Sequence, residues 1–244
     1  MKNIRIAIIS DFDGTITERD SLNYLLNHFG PSGWEKYEDR YETGTILGSE
    51  ALEMEMSQMK ISLEKAEEII REKINIRDDF PVFADFCRKN EIPLMIVSCN
   101  FRRFIIPVLE KHNLGSIPIR SNEIEERDGR ILINPGGFAH PVCRECHTCK
   151  GFTVKEMRMK GFFTIYLGDG LTDRCPAWEA DLVFAKGRLK KSLDKHGIEN
   201  KQLNGFGTIT EIISTLQSSE IELESSFEKN KREKKNNPFI RGSE

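Results

Sequence analysis

Three short apolar runs, each breaking off at acidic or hydroxyl residues, constrain the fold of this chain more than any other feature. Ile4 to Ser10 ends at Asp11-Phe12-Asp13-Gly14-Thr15, Ile92 to Val97 ends at Ser98, and Phe162 to Leu167 ends at Gly168-Asp169-Gly170. Runs of this length that stay apolar instead of alternating read as strands buried on both faces. Between them the spacing turns helical. Leu22, Leu25, Leu26 and Phe29 share one face, and Leu63, Ala66, Ile69, Ile70 and Ile74 another, with no strand expected from Asp20 to about Asp79. Asp79 with Pro81 starts a helix through Phe83 and Phe86. Phe101 to His112 is helical, with Pro107 as a kink or a new start, and Asn113-Leu114-Gly115 stops it. Asp128-Gly129 within Glu123 to Ile133 predicts a small β-hairpin. A helix from about Lys150 to Lys160, a helix through Trp178, a strand from Leu182 to Ala185, further helix to about His196 and an amphipathic helix near Thr208 to Leu216 follow.

This alternation implies an α/β chain: a Rossmann-like parallel sheet with helices on both faces, drawn from residues 1–16 and 80–216. A helical segment, 17–79, is inserted after the first strand, and 217–244 is a polar tail expected to be flexible. The 244 residues suit one large domain or one domain with an insertion. A net charge of −3 and a pI near 6.1 argue against nucleic acid or an anionic membrane as partner, which leaves small molecules. With no apolar run near the ~18 residues of a membrane span and no leader-like start, a cytoplasmic location is expected. There, six cysteines should be thiols or metal ligands.

In parallel sheets ligands sit outside the carboxyl ends of the strands, so the polar tips should converge. They are Asp11 and Asp13, Ser98, Asp169 and Asp173, with Lys150 opening the helix before the third run. Residues two apart on an extended strand project to one side, which would set the carboxylates of Asp11 and Asp13 together. Crowded carboxylates repel, and all-oxygen ligands of this kind suit Mg²⁺. Lys150 and Ser98 then offer a cation and a hydroxyl to the oxygens of a phosphoryl group. Each feature has a plainer reading by itself. A strand-end Asp is often a turn residue, Ser98 can cap a helix, and Lys150 is by default solvated. Gly168-Asp169-Gly170-Leu171-Thr172-Asp173 is not a dinucleotide fingerprint, because Asp173 crowds charge into the third glycine's place, and no P-loop occurs.

In ordered combination these segments resemble the four motifs of the haloacid dehalogenase (HAD) superfamily. They are Asp11-Phe12-Asp13-Gly14-Thr15, Val97-Ser98, Lys150, and Gly168 to Asp173. The resemblance spans roughly residues 4 to 216 and implies a HAD-like core. The helical segment after the first motif, 17–79, resembles the small α-helical cap of the phosphoserine phosphatase branch, and the hairpin before the third motif is similar to that branch as well. Asp11 to Thr17, Phe104-Ile105-Ile106-Pro107-Val108-Leu109-Glu110-Lys111-His112 and Cys149-Lys150 look like its methionine-salvage members, which act on 2-hydroxy-3-keto-5-methylthiopentenyl-1-phosphate. By this resemblance Asp11 is the nucleophile, and Asp13 protonates the leaving alcohol and later activates water. Ser98 and Lys150 hold phosphoryl oxygens, and Gly14, Thr15, Cys99 and Asn100 border the substrate. Asp11, the Asp13 carbonyl and Asp169 ligate Mg²⁺, with Asp173 in support.

Relatives follow the second-motif serine with glycines, where this chain has Cys99-Asn100, and Arg102 and Arg103 come next. Those arginines either meet an acidic group on the substrate or are exposed helix charges. Phosphoserine, phosphoethanolamine and phosphocholine are alternative substrates, and a phosphomutase is an alternative reaction. Asp13 argues against dehalogenation, which needs no acid for its leaving group. Cys143-x-x-Cys146-x-x-Cys149, with His140 and His147 alongside, offers a different class of function: a Cys₃His zinc-binding module carrying vestigial phosphatase motifs. Free thiols on a loop are the other reading of that cluster.

Overall fold

The computed structural model describes residues 4–128, 130–218 and 239. The chain opens with β1 (Ile6–Ser10), α1 (Ser21–Phe29), α2 (Glu35–Glu42), α3 (Gly48–Ser57), α4 (Leu63–Lys73) and α5 (Phe80–Lys89). It continues with β2 (Leu94–Phe101), α6 (Arg102–Glu110), β3 (Ile119–Arg127), β4 (Arg130–Asn134), α7 (Lys150–Met159) and β5 (Phe163–Gly168). A 3₁₀ turn (Leu171–Asp173), α8 (Arg174–Glu179), β6 (Leu182–Ala185), α9 (Gly187–Lys195), β7 (Lys201–Gln202) and α10 (Phe206–Ser218) complete it. The strands form a sheet in the order β4-β3-β2-β1-β5-β6-β7. The β1–β5, β2–β3, β5–β6 and β6–β7 pairs are parallel and β3–β4 is antiparallel, so the fold is α/β as expected. Most of the expected flexible tail, 219–238 and 240–244, lies outside the described residues, as does Gly129 of the hairpin turn. Among the described residues no helix is long and apolar enough to cross a membrane.

The chain divides into two compact units, the first formed by Met1–Asp11, Asp78–Met95 and Lys150–Glu244. Every residue of β1 is buried there, in register with β5 from Ile6↔Phe163 to Ser10↔Leu167. This is the physical content of its unbroken apolar run, and the Asp11 N–H continues the ladder by donating to the Leu167 carbonyl at 2.9 Å. Phe206 of α10 packs against Phe80 and Phe83 of α5 at centroid distances of 4.9 and 5.2 Å. Asp79 precedes α5 as expected, yet its carboxylate accepts from the Phe206 N–H at 2.6 Å and so caps α10 instead.

The second unit is formed by Phe12–Arg77 and Ile96–Cys149. Asp20 caps α1 by accepting from the Asn23 N–H at 2.8 Å, and Ser62 caps α4 through the Lys65 N–H. β2 runs on to Phe101, past the expected end at Val97. Its register against β3 shifts between Val97 and Phe101, the stretch that carries Ser98, Cys99 and Asn100, and such irregularities re-aim side chains. β3 begins at Ile119, four residues ahead of the expected hairpin, because its buried positions include Ser121 and Asn122 and hide the apolar signal.

Glu55 of α3 is buried, and burial together with the nearby charge of Glu38 pushes its carboxyl up to about 8. The folded protein therefore holds a proton that the unfolded chain releases above its ordinary value of 4.5, so stability falls as pH rises from there through about 8. Glu55→Gln is expected to match wild type near pH 4.5 and to exceed it by up to ~5 kcal/mol at pH 9, read from urea denaturation at each pH.

Candidate active site

The first unit gathers Asp11, Lys150, Asp169 and Asp173 in one place. Asp11 follows the last residue of β1, Lys150 is the first residue of α7, and Asp169 and Asp173 flank the turn after β5. Lys150 is almost fully buried, and its Nζ lies 2.7 Å from an oxygen of Asp11 and 2.7 Å from Oδ1 of Asp173. Asp173 Oδ1 also accepts from the Tyr166 hydroxyl at 2.6 Å, and Oδ2 accepts from the Asp169 and Gly170 N–H groups at 2.9 Å each. Gly168 is required here by close approach, since a Cβ would come within 2.7 Å of the Asp173 carboxylate.

The electrostatics follow from that arrangement. Burial raises the cost of charge on Asp173, but the Lys150 ammonium and the donors from Lys150, Tyr166 and Gly170 outweigh it and hold the carboxyl below its ordinary value. Asp11 goes the other way: burial, then the charges of Asp173 and Asp169, push it well above its ordinary value against the pull of Lys150. Burial and the Asp173 charge likewise raise the Tyr166 hydroxyl well above its ordinary value, which keeps it a donor. Two carboxylates flank one ammonium, and oxygens from Asp11, Asp169 and Asp173 come within 4.8 Å of one another. A hard divalent cation fits this donor set, because it would cancel the excess negative charge and accept oxygen ligands alone. Asp173, with both oxygens engaged by two donors apiece, suits a supporting place better than a direct one.

The second unit holds the remaining expected residues. Asp13 Oδ1 accepts from the Ser21 N–H at 2.8 Å and Oδ2 from the Asn100 carboxamide at 2.6 Å. Gly14 has φ +67, a conformation open to glycine, and its N–H donates to Thr17 Oγ1 at 3.0 Å. Thr15 is buried and its carbonyl accepts from Arg77. Ser98, also buried, accepts from the Asn100 N–H at 3.0 Å. The half-buried Cys99 presents its carbonyl to the Asn122 carboxamide at 2.5 Å, and Asn122 Oδ1 accepts from the Thr148 hydroxyl at 2.7 Å. That network ties the end of β2 to the loop that enters α7.

Two expected features make structural contacts. Arg103 pairs with Glu67 at 2.9 Å and Glu64 at 3.1 Å, holding α6 to α4. Among the described residues, Asp11, Asp169 and Asp173 form the group whose ligand atoms lie close enough together to share one metal ion. His140 Nδ1 accepts from the Val142 and Cys143 N–H groups, and His147 Nε2 sits 3.0 Å from Glu53. Their loop is held by backbone bonds from Ser49 to Glu145 and from Cys149 to Phe138.

Tyr166, Ser21, Asn122 and Thr148 were not expected. Tyr166 reads as one more core residue of an apolar strand, and the other three are polar residues with no motif around them. Tyr166→Phe is expected to cost about 2 kcal/mol in urea denaturation, the worth of a buried hydrogen bond to a charged group, and about tenfold in turnover.

Residues 8–176 match the haloacid dehalogenase-like hydrolase family. A 2-hydroxy-3-keto-5-methylthiopentenyl-1-phosphate phosphatase of Bacillus pumilus is 30% identical over 82% of this chain and 87% of its own. One of the same description from Brevibacillus brevis is 27% identical over 87% and 97%. A substrate-bound phosphoserine phosphatase superposes with a TM-score of 0.64 at 17% identity, over 87% of this chain and 99% of its own, which speaks for the fold. The chain belongs to the haloacid dehalogenase-like hydrolase family and is a phosphoric monoester hydrolase.

Proposed function

We propose that this chain is a Mg²⁺-dependent phosphatase that works through an aspartyl-phosphate on Asp11, with 2-hydroxy-3-keto-5-methylthiopentenyl-1-phosphate of methionine salvage as its substrate. The observation that carries the chemistry is the buried Lys150 set 2.7 Å from Asp11 and from Asp173, a fixed cation beside the carboxylate of the first motif. The relatives' activity supports the substrate.

On this reading an oxygen of Asp11 attacks phosphorus while the leaving oxygen takes a proton from Asp13, two residues further along the chain. Asp13 then takes a proton from water, whose oxygen displaces Asp11 and releases inorganic phosphate. Lys150 and Ser98 hold phosphoryl oxygens, and Gly14, Thr15 and Cys99 border the substrate. Asp173 keeps Lys150 charged and in place. Mg²⁺, held by Asp11, Asp169 and the Asp13 carbonyl with Asp173 in support, would neutralise charge on the transferring group. Residues 17–79 act as the cap that selects the substrate.

A phosphate-release screen with Mg²⁺ tests this, over a panel with the methionine-salvage compound, phosphoserine, phosphoethanolamine and phosphocholine, and with Asp11→Asn as blank. The methionine-salvage compound is expected to give the highest kcat/KM. A higher value for another member replaces the substrate, and transfer to a second alcohol without release of free phosphate makes the enzyme a mutase.

A further inference from the structure

Asn100 stands two residues after the second-motif serine, and its surroundings assign it work. It is 2% exposed, and all of its side-chain donors are spent: one to Asp13 Oδ2 at 2.6 Å, the other to Ser21 Oγ at 2.8 Å. Its Oδ1 accepts from the Phe101 N–H at 2.6 Å. The orientation of the amide is fixed by chemistry. Flipped, it would set oxygen against the Asp13 carboxylate and NH₂ against a backbone N–H, two repulsive contacts for two attractive ones. Asp13 is correspondingly pinned at both oxygens, by Asn100 and by the Ser21 N–H at the start of α1, where the helix dipole favours a carboxylate.

We infer that Asn100 is a positioning residue for Asp13 that fixes the carboxylate in the orientation from which it passes a proton to the leaving oxygen, and that Asn100 does not bind substrate. The inference rests on the proposed roles of Asp11 and Asp13. In the first step the bond from Asp11 to phosphorus forms as the bond to the leaving oxygen breaks, and that oxygen takes the proton of Asp13. In the second, Asp13 takes a proton from water while the new P–O bond forms and Asp11 departs. A misplaced Asp13 slows the first step in proportion to how poor the leaving group is, and it slows the second for every substrate alike.

That asymmetry is the test, with Mg²⁺ present, glycerol 2-phosphate as the alkyl probe and p-nitrophenyl phosphate as the aryl probe. In Asn100→Ala, kcat/KM for the alkyl probe is expected to fall ~10²-fold with the loss in kcat. The nitrophenolate burst in rapid mixing should stay within ~fivefold of wild type, and phosphoenzyme should accumulate behind it. Ser21→Ala, which frees one anchor of the Asn100 amide, should show the same selectivity at ~tenfold, and it carries the test if Asn100→Ala does not fold. A loss in the nitrophenolate burst equal to the loss in kcat/KM for the alkyl probe, or a loss confined to KM, overturns the inference. A wild-type protein with no burst that Asp11→Asn abolishes overturns instead the reading on which it rests.

Discussion

Lys150→Met is expected to lose about 10³-fold in kcat and about 3–5 kcal/mol of stability in urea, with chelator present. The Lys150 side chain is 2% exposed and its ammonium is shared by Asp11 and Asp173, whose side chains are 8% and 0% exposed. Methionine keeps the length and apolar stem but leaves two carboxylates facing one another away from water. The other donors to Asp173 cannot serve Asp11, so the loss falls on both folding and chemistry. Because the cluster is buried, added salt should not recover the stability. A Lys150→Met protein as stable as wild type would show that the ammonium is not what neutralises these aspartates.

The contrast between Lys150 and Arg103 shows where sequence reading has force. Both are lysine or arginine residues at helix starts, and nothing local separates them. What singled out Lys150 was its order in the chain after two strand-end motifs, and the structure buries it between carboxylates. Arg103 had no such context and turns out to join two helices. The strands β1, β5 and β6 were legible because nearly every position is buried, so each reads as a mostly apolar run without polar alternation. β7 is two exposed residues and leaves no apolar trace, while the start of β3 buries Ser121 and Asn122.

Partners set by tertiary contact were the least legible. Tyr166 looks like any core aromatic until its hydroxyl is seen on Asp173, and Asn100 looked like a departure from a glycine-rich turn. The cysteine loop is held by backbone bonds to Ser49 and Phe138, and the ring nitrogens of His140 and His147 serve a turn and a glutamate. Residue type and spacing state which chemistry is possible, and the direction of each side chain decides which is used.

Asp11→Asn is expected to separate function from stability in the way opposite to Lys150→Met. Turnover should fall by roughly 10⁴-fold or more and no phosphoenzyme should form, because an amide oxygen is a poor nucleophile toward phosphorus. The folded protein, measured with chelator at neutral pH, should be as stable as wild type or more so. Asparagine has the shape of aspartate and still offers an oxygen to the Lys150 ammonium, so the 2.7 Å contact survives. What it removes is a charge that burial and the neighbouring Asp173 and Asp169 oppose. Wild type should instead gain stability with added Mg²⁺, as any ligand of the native state confers. The gain should shrink in Asp11→Asn, since one of the carboxylates that answers the cation has gone. Loss of stability in chelator would mean that the Asp11 charge is needed by Lys150 more than it is opposed by the other two aspartates.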